Sequence, residues 1–334
     1  MKKLSITFLA YLALLGLSVT ATAQPKQVNW NTVIHLKQKY IEASQIPLYY
    51  HEFKFSKSSL ERNKFRYIAQ NKKIVMDFTI GSQEVYLNGI KFHFSYPVVV
   101  KNGKVLISQI DLVKLIDPIL RPAKIKSGSI VKTVIIDPGH GGYEPGTQNA
   151  HGQEKVYTMK LALKLKALLE RKGFKVAMTR KGDEYVSLGE RVRRANQHSN
   201  AVFVSLHFNA GGAGRAWGIE TFTLSPAGVA HYGEGLKASD FKTRTGNTQD
   251  SSNIALATAI HGRAITKLDA RDRGIRRARF NVITGVKHPG ILFEGGFMSN
   301  YREGRLIAND AYLDRMALAL YEGIVLYKTA TEKK

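Results

Sequence analysis

Between residues 131 and 327 strand-like and helix-like patterns alternate along the chain. Lys132–Ile136, Phe174–Thr179, Ala201–Leu206, Ile219–Leu224, Phe280–Thr284 and Ile291–Glu294 are short runs rich in β-branched and aromatic residues, the pattern of buried strands. Glu154–Lys172, Leu188–Ser199, Ile254–Leu268 and Asp310–Tyr327 carry apolar residues at helical spacing. Strands separated by helices pair in parallel, with the helices covering the sheet. The expected fold of this region is therefore α/β, a mainly parallel sheet flanked by helices on both faces. Ser187-Leu188-Gly189-Glu190 supplies a capping box for one helix, and Gly173 stands where another should stop.

Ahead of this region, residues 28–125 read as a small α+β unit. Val33, Leu36, Tyr40 and Ile41 fall on one face of a helix if Asn31–Ser44 is helical. Lys64–Ala69, Lys73–Thr79 and Glu84–Tyr86 read as strands, and Asn88-Gly89 and Asn102-Gly103 as hairpin turns. Ile107–Ile119 reads as a short helix that ends before Pro122. Arg121-Pro122 and Lys124–Ser129 form a linker rich in Pro, Gly, Ser and charge. Leu87-Asn88-Gly89-Ile90, Ser95-Tyr96-Pro97-Val98, Asn102-Gly103-Lys104 and Ile107-Ser108 loosely resemble the accessory domain first named from copper amine oxidase N-termini. That resemblance implies a non-catalytic module. His35, His51 and His93 are scattered and read as ordinary surface or core histidines.

The N-terminus has the layout of a secretory signal. Lys2 and Lys3 precede the apolar stretch Leu4–Leu17, and Ala21-Thr22-Ala23 offers small residues at a cleavage site, so residues 1–23 are expected to be removed after export. No Cys follows to carry a lipid, and no later stretch is long and apolar enough to span a bilayer, so no stable membrane anchor is expected after cleavage. Loss of the segment takes two lysines from a formal charge of +24 and leaves +22. Such a charge calls for an anionic partner. Export, and the absence of any helix-turn-helix, zinc-finger or RNA-binding signature, argue against nucleic acid.

The chain of 334 residues contains no cysteine. Disulfides, thiol chemistry, Fe–S clusters and Cys-ligated zinc are excluded, so a metal must be held by His, Asp or Glu. Ligands of open α/β sheets bind outside the carboxyl ends of the strands. His140 follows one strand in Asp137-Pro138-Gly139-His140-Gly141-Gly142. His207 ends another in Ser205-Leu206-His207-Phe208-Asn209-Ala210, and Glu294 ends a third in Phe293-Glu294-Gly295-Gly296. Glu154 opens a helix, where the positive helix end favours a carboxylate with or without a metal. Two histidines and one carboxylate make a catalytic zinc set with an open fourth position, leaving Glu294 as a base. Asp137 reads as an orienting or turn-capping group, and His151, close to Glu154, as solvent-exposed.

Val134–Gly142, Glu154-Lys155, Leu188-Gly189-Glu190-Arg191-Val192 with Ala195-Asn196, Ser205–Ala210, Gly218-Ile219-Glu220-Thr221 and Phe293–Asn300, in this order, resemble the zinc-dependent N-acetylmuramoyl-L-alanine amidases of the Amidase_3 type. The resemblance covers residues 131–328, the expected catalytic domain. It implies one zinc ion held by His140, Glu154 and His207, with Glu294 as the catalytic carboxylate. It implies hydrolysis of the bond between N-acetylmuramic acid and L-alanine in peptidoglycan, in the periplasm or the extracellular wall, with room for a protein activator. Asn209, Glu220 and Arg276 are candidate substrate contacts. Glu220 reads equally as structural, and the cluster Arg271, Arg273, Arg276, Arg277, Arg279 equally as a solvated basic face. Residues 225–250 exceed the compact family pattern. Some envelope amidases carry an autoinhibitory helix near here, in which case Glu234 would cap the metal; otherwise the segment is a groove loop. Another zinc peptidoglycan amidohydrolase, such as an endopeptidase, or a catalytically silent wall-binding protein are the competing readings.

Overall fold

The computed structural model describes residues 30–61, 63–125 and 130–332. The expected signal segment and part of the expected linker lie outside these residues. The chain divides into two compact units at Leu120/Arg121.

The first unit is mostly β. Strands β1 (Thr32–His35), β2 (Gln38–Glu42), β8 (Val99–Lys101) and β9 (Lys104–Ser108) form an antiparallel sheet in the order β1-β2-β9-β8. Strands β3 (Ser56–Glu61), β4 (Lys64–Ile68), β5 (Val75–Thr79), β6 (Glu84–Leu87) and β7 (Ile90–His93) form an antiparallel meander. Alternate residues of the meander are buried, and Phe65, Tyr67, Met76, Phe78, Val85 and Phe92 build its core. Asn88-Gly89 and Asn102-Gly103 both have positive φ and close tight hairpins, as expected.

Two sequence expectations fail here. Asn31–Ser44 is the β1–β2 hairpin rather than a helix, with Leu36 and Lys37 at positive φ in its turn. The β-branched run Thr32-Val33-Ile34 favours an extended chain. Pairing of Tyr40 and Ile41 with Ser108 and Ile107 of β9 then overrides the helical spacing. For the same reason Ile107 belongs to β9, and the helical stretch 109–120 starts only after Ser108, whose side chain caps Asp111 N.

The second unit has the expected layered α/β architecture. To its sheet belong β10 (Thr133–Pro138), β13 (Lys175–Met178), β14 (Ala201–Asn209), β15 (Ile219–Leu224), β16 (Asp272–Ala278) and β17 (Gly290–Phe297). A two-residue-per-strand hairpin, β11 (Gln148–Asn149) and β12 (Gly152–Gln153), lies apart. The order is β13-β10-β14-β17-β15-β16, and all neighbours run parallel except β15 against β17. On one face Ile135, Phe203, Phe222 and Leu292 pack on Ala195, Val282 and Ile283 of the Leu188–Asn196 and Asn281–Thr284 helices. On the other lie the helices Glu154–Arg171, Asp250–Leu268 and Asp310–Thr331. Buried His261 fastens one of them to the sheet, its ring nitrogens 2.9 Å from Thr221 Oγ1 and 2.9 Å from Asp272 Oδ1.

Phe280–Thr284, expected as a strand, contains the short helix Asn281–Thr284. The strand is β16, which begins eight residues earlier, in a stretch whose arginines disguise it. Arg276 and Arg277 are buried rather than solvated. A second omission is the Tyr301–Ile307 helix, capped by the Asn300 side chain.

Gly323 lets two helices pack closely. A Cβ there would lie 2.5 Å from Ile260 Cα and 3.0 Å from Ala259 O. Alanine in a helix interior gains about 1 kcal/mol over glycine from propensity, yet overpacking against backbone costs about 1–3 kcal/mol. Gly323→Ala should therefore lower the urea midpoint; an unchanged or higher midpoint would contradict this packing.

Candidate metal centre

The turn after β10 is built around a buried charge pair. Asp137 and Arg191 are both buried, with Arg191 Nη1 2.8 Å from Asp137 Oδ1. Thr179 and Ser205 hydroxyls donate to the same carboxylate. Burial alone would raise the Asp137 pKa. The charge of Arg191 and the hydrogen bonds from Thr179, Arg191 and Ser205 outweigh it and hold the carboxyl below its usual range.

The rest of the Arg191 guanidinium, with that of buried Arg180, holds the turn itself. Arg191 donates to Pro138 O and His140 O, each at 2.7 Å. Arg180 donates to Pro138 O at 2.9 Å and to Gly139 O at 3.0 Å. These bonds restrain His140 at φ +60°, a left-handed conformation that an L side chain adopts only at some cost.

His140, Glu154 and His207 meet in front of this turn. Glu154 Oε1 lies 3.1 Å from His140 Nε2 and 3.0 Å from His207 Nδ1. One ligand atom from each residue lies within 4.8 Å of the others. The β11–β12 hairpin delivers Glu154 to the first position of its helix. There its carboxylate is buried and accepts from Thr147 N at 2.9 Å and Phe208 N at 3.0 Å. Burial pushes its pKa up, but hydrogen bonds and charge from His140 and His207 turn the shift downward. Two glycines let the group close up. A Cβ on Gly139 would lie 2.3 Å from the His207 ring, and one on Gly146 2.6 Å from both Glu154 Oε2 and the His140 ring.

This donor set fits a borderline divalent cation such as zinc. It has two imidazoles, one ionised carboxylate and no thiolate, three of the four ligands a catalytic zinc takes.

Glu294 stands beside the cluster by strand register. On β17 it is opposite His207 of β14 on one side and Glu220 of β15 on the other. Its Oε2 is out of solvent and makes no hydrogen bond. Burial, and then the neighbouring charges of Glu154 and Glu220, raise its pKa well above the usual carboxylate value. A half-buried carboxyl with one oxygen unpaired and out of solvent, beside a cation-binding group, is poised for proton transfer.

The candidate substrate contacts form one network further along the sheet. Buried Glu220 accepts from Arg273 Nε, lies 3.2 Å from Arg276 Nη1 and accepts from Asn209 Nδ2 at 3.3 Å. Arg276 lies over the Tyr232 ring at 4.1 Å and Arg273 over the Phe297 ring at 4.8 Å. Arg273 was not singled out from its cluster by sequence, and its tie to Glu220 explains why a strand edge carries it.

Glu234 is outside the cluster, its carboxylate paired with Lys237 Nζ at 2.5 Å. Its segment is fastened instead by Arg279. That side chain donates to the carbonyls of Pro226, Val229 and Asp240 and pairs with Asp240 Oδ1 at 2.9 Å. His151 is exposed, as expected. The roles of Arg180 and Arg191 were not read from the sequence. Arg191 sat within a recognised motif, but nothing local marks either arginine as buried.

Residues 134–325 match the family described as N-acetylmuramoyl-L-alanine amidase, Amidase_3. The chain belongs to that family. It is 28% identical over 193 residues to the sporulation-specific N-acetylmuramoyl-L-alanine amidase of Bacillus subtilis, covering 57% of this chain and 66% of the relative. It is 27% identical over 246 residues to the amidase AmiA of Escherichia coli, covering 66% and 84%. Against LytC of Bacillus subtilis, 28% identical over 204 residues, it spans only 37% of the relative. A solved amidase structure from Clostridium difficile is 32% identical over 60% of this chain and 97% of that one, with a TM-score of 0.49.

Three outcomes test the geometry. Arg191→Ala leaves Asp137 buried and uncompensated, and should cost about 3–5 kcal/mol in urea unfolding. The depressed Asp137 pKa stabilises the fold fully above the ordinary carboxylate value of about 4. That contribution is lost as pH falls through the lower folded-state value, so Asp137→Asn should flatten the acid side of the stability profile. Gly139→Ala should displace the His207 ring and weaken zinc binding about 10- to 100-fold, measured as zinc retained on competition with a chelator.

Proposed function

We propose that this protein is an exported, zinc-dependent cell-wall hydrolase that cleaves the amide between N-acetylmuramic acid and L-alanine of peptidoglycan. The observation that carries this reading is the convergence of His140, Glu154 and His207, with unpaired Glu294 in register beside them, in a chain of the amidase family. His140, Glu154 and His207 are the residues that would hold the ion. When bound, zinc would polarise the amide carbonyl and make a water acidic enough to ionise near neutral pH.

Glu294 accepts the proton of the attacking water and returns it to the departing L-alanine nitrogen. Its Oε2, which makes no hydrogen bond, is free for that exchange. Arg191 and Arg180 hold the His140 turn rigid, which limits the reorganisation needed on reaction. Arg273, Arg276 and Asn209, gathered on Glu220, stand on the opposite side of Glu294 from the ligands and suit the charged stem peptide. Glu234 as an autoinhibitory cap would require the 225–250 segment to leave its bonds to Arg279.

The first unit serves in this reading as a non-catalytic accessory module, and residues 1–23 as a cleaved signal. Among the described residues no helix is long and apolar enough to cross a membrane. The high positive charge then retains the mature protein on the anionic wall.

Digestion of purified sacculi tests the function. Mass spectrometry should find stem peptides released with free L-alanine N-termini. L-alanine retained on muramic acid would identify an endopeptidase instead, and no release a silent wall-binding protein. Glu294→Gln should cut release about 10²- to 10⁴-fold with zinc content unchanged, whereas His140→Ala should lose the zinc.

A further inference from the structure

An aromatic pair next to the metal centre has no part in the chemistry above. Tyr143, three residues after His140, stacks on Tyr185 with ring centroids 4.3 Å apart and planes 26° apart. Both are conspicuously open for aromatic side chains, Tyr143 at 75% and Tyr185 at 41% exposure. Hydrogen bonding to Tyr185, the largest cause, pushes the Tyr143 hydroxyl up to about 12.

The pair rests on two loops that are locked together. Gly142 N donates to Asp183 Oδ1 at 2.8 Å, and Lys155 Nζ joins Asp183 Oδ2 at 2.7 Å to Gly142 O at 2.8 Å. A Cβ on Gly141 would lie 2.2 Å from Glu184 O, and one on Gly142 2.6 Å from Tyr185 N. The backbones therefore touch directly. Two exposed rings on a braced foundation form a preorganised surface, with little ordering left to do on binding. Since Tyr185 covers one face of Tyr143, the other is available to a partner.

The position of the pair selects the partner. Following the sheet order, functional residues run from Tyr185 after β13, through Tyr143 and His140 after β10, His207 on β14, Glu294 on β17 and Glu220 on β15, to Arg273 and Arg276 on β16. The far end of this row is charged and suits the stem peptide. The near end presents the stacked tyrosine rings, with the charges of Asp183 and Lys155 paired to each other. The scissile amide hangs from a sugar, so a saccharide must lie within about one ring of the ion. The C–H face of a pyranose packs on the negative face of an aromatic ring.

We propose that Tyr143, supported by Tyr185, is a glycan platform that seats a hexosamine ring of the peptidoglycan strand beside the metal centre. The assignment rests on the hydrolase reading above and deepens it by giving the substrate a direction along the sheet edge.

Binding separates the two ideas, because it needs no turnover. The probe is a peptide-free glycan strand of alternating N-acetylglucosamine and N-acetylmuramic acid, titrated into the full zinc-loaded protein. Salt of about 0.5 M suppresses non-specific attraction to the basic surface. Tyr143→Ala and Tyr143→Leu should weaken binding about three- to tenfold, and Tyr143→Phe should restore it. Melting curves of all three variants verify folding. Equal binding by the Ala and wild-type proteins, a Phe variant as weak as Ala, or no binding by wild type would each overturn the platform. Glycan binding that depends on Tyr143 in a protein that releases no stem peptide would support the platform and refute the hydrolase reading.

Discussion

The Asp137–Arg191 pair is the interaction on which the metal centre depends. A carboxylate and a guanidinium are removed from water together, and their remaining hydrogen-bonding capacity is used on the surrounding chain. Thr179 and Ser205 take up the carboxylate, while the carbonyls of Val186, Pro138 and His140 take up the guanidinium. Arg180 repeats the device from the other side. Breaking one member leaves a charge with no solvent to receive it, so the turn keeps one geometry. That rigidity is what allows His140 to occupy a left-handed conformation and to face Glu154 and His207.

The sheet then supplies the spacing. His207, Glu294 and Glu220 are consecutive neighbours across three hydrogen-bonded strands, one strand separation apart. The switch from parallel to antiparallel between β17 and β15 brings the starts of β15 and β16 to the edge where the other strands end. This is why residues near the beginning of one strand and the end of another share a site. Helix packing on both faces leaves that edge as the open one, in keeping with the general location of ligands on such sheets.

Much of this was legible in sequence, for identifiable reasons. The strands bearing His140, His207 and Glu294 are apolar runs buried on both faces, so their pattern is not diluted by solvent-facing residues. The helices are long and periodic. β16 was missed because Arg273, Arg276 and Arg277 look like a solvated face. Arg276 is buried against Glu220 and Tyr232, and Arg273 is partly buried against Glu220 and Phe297, none of which is close in sequence. The β1–β2 hairpin was missed because Val33, Leu36, Tyr40 and Ile41 fall at helical spacing, and only pairing with β9 decided for a strand. The Tyr143–Tyr185 pair escaped because its two loops lie 42 positions apart and nothing local reports their contact.

By itself the sequence determined the α/β class, the exclusion of thiolate ligands, and the His, Glu and His residues offered at strand and helix ends, because periodicity and residue chemistry are local properties. Only the tertiary structure decided that these three side chains converge on one carboxylate oxygen, that Glu294 is left unpaired beside them, and that arginines are spent on holding a turn. Those outcomes depend on strand order, register and burial. Each is set by the free energy of the whole packed sheet rather than by any segment alone.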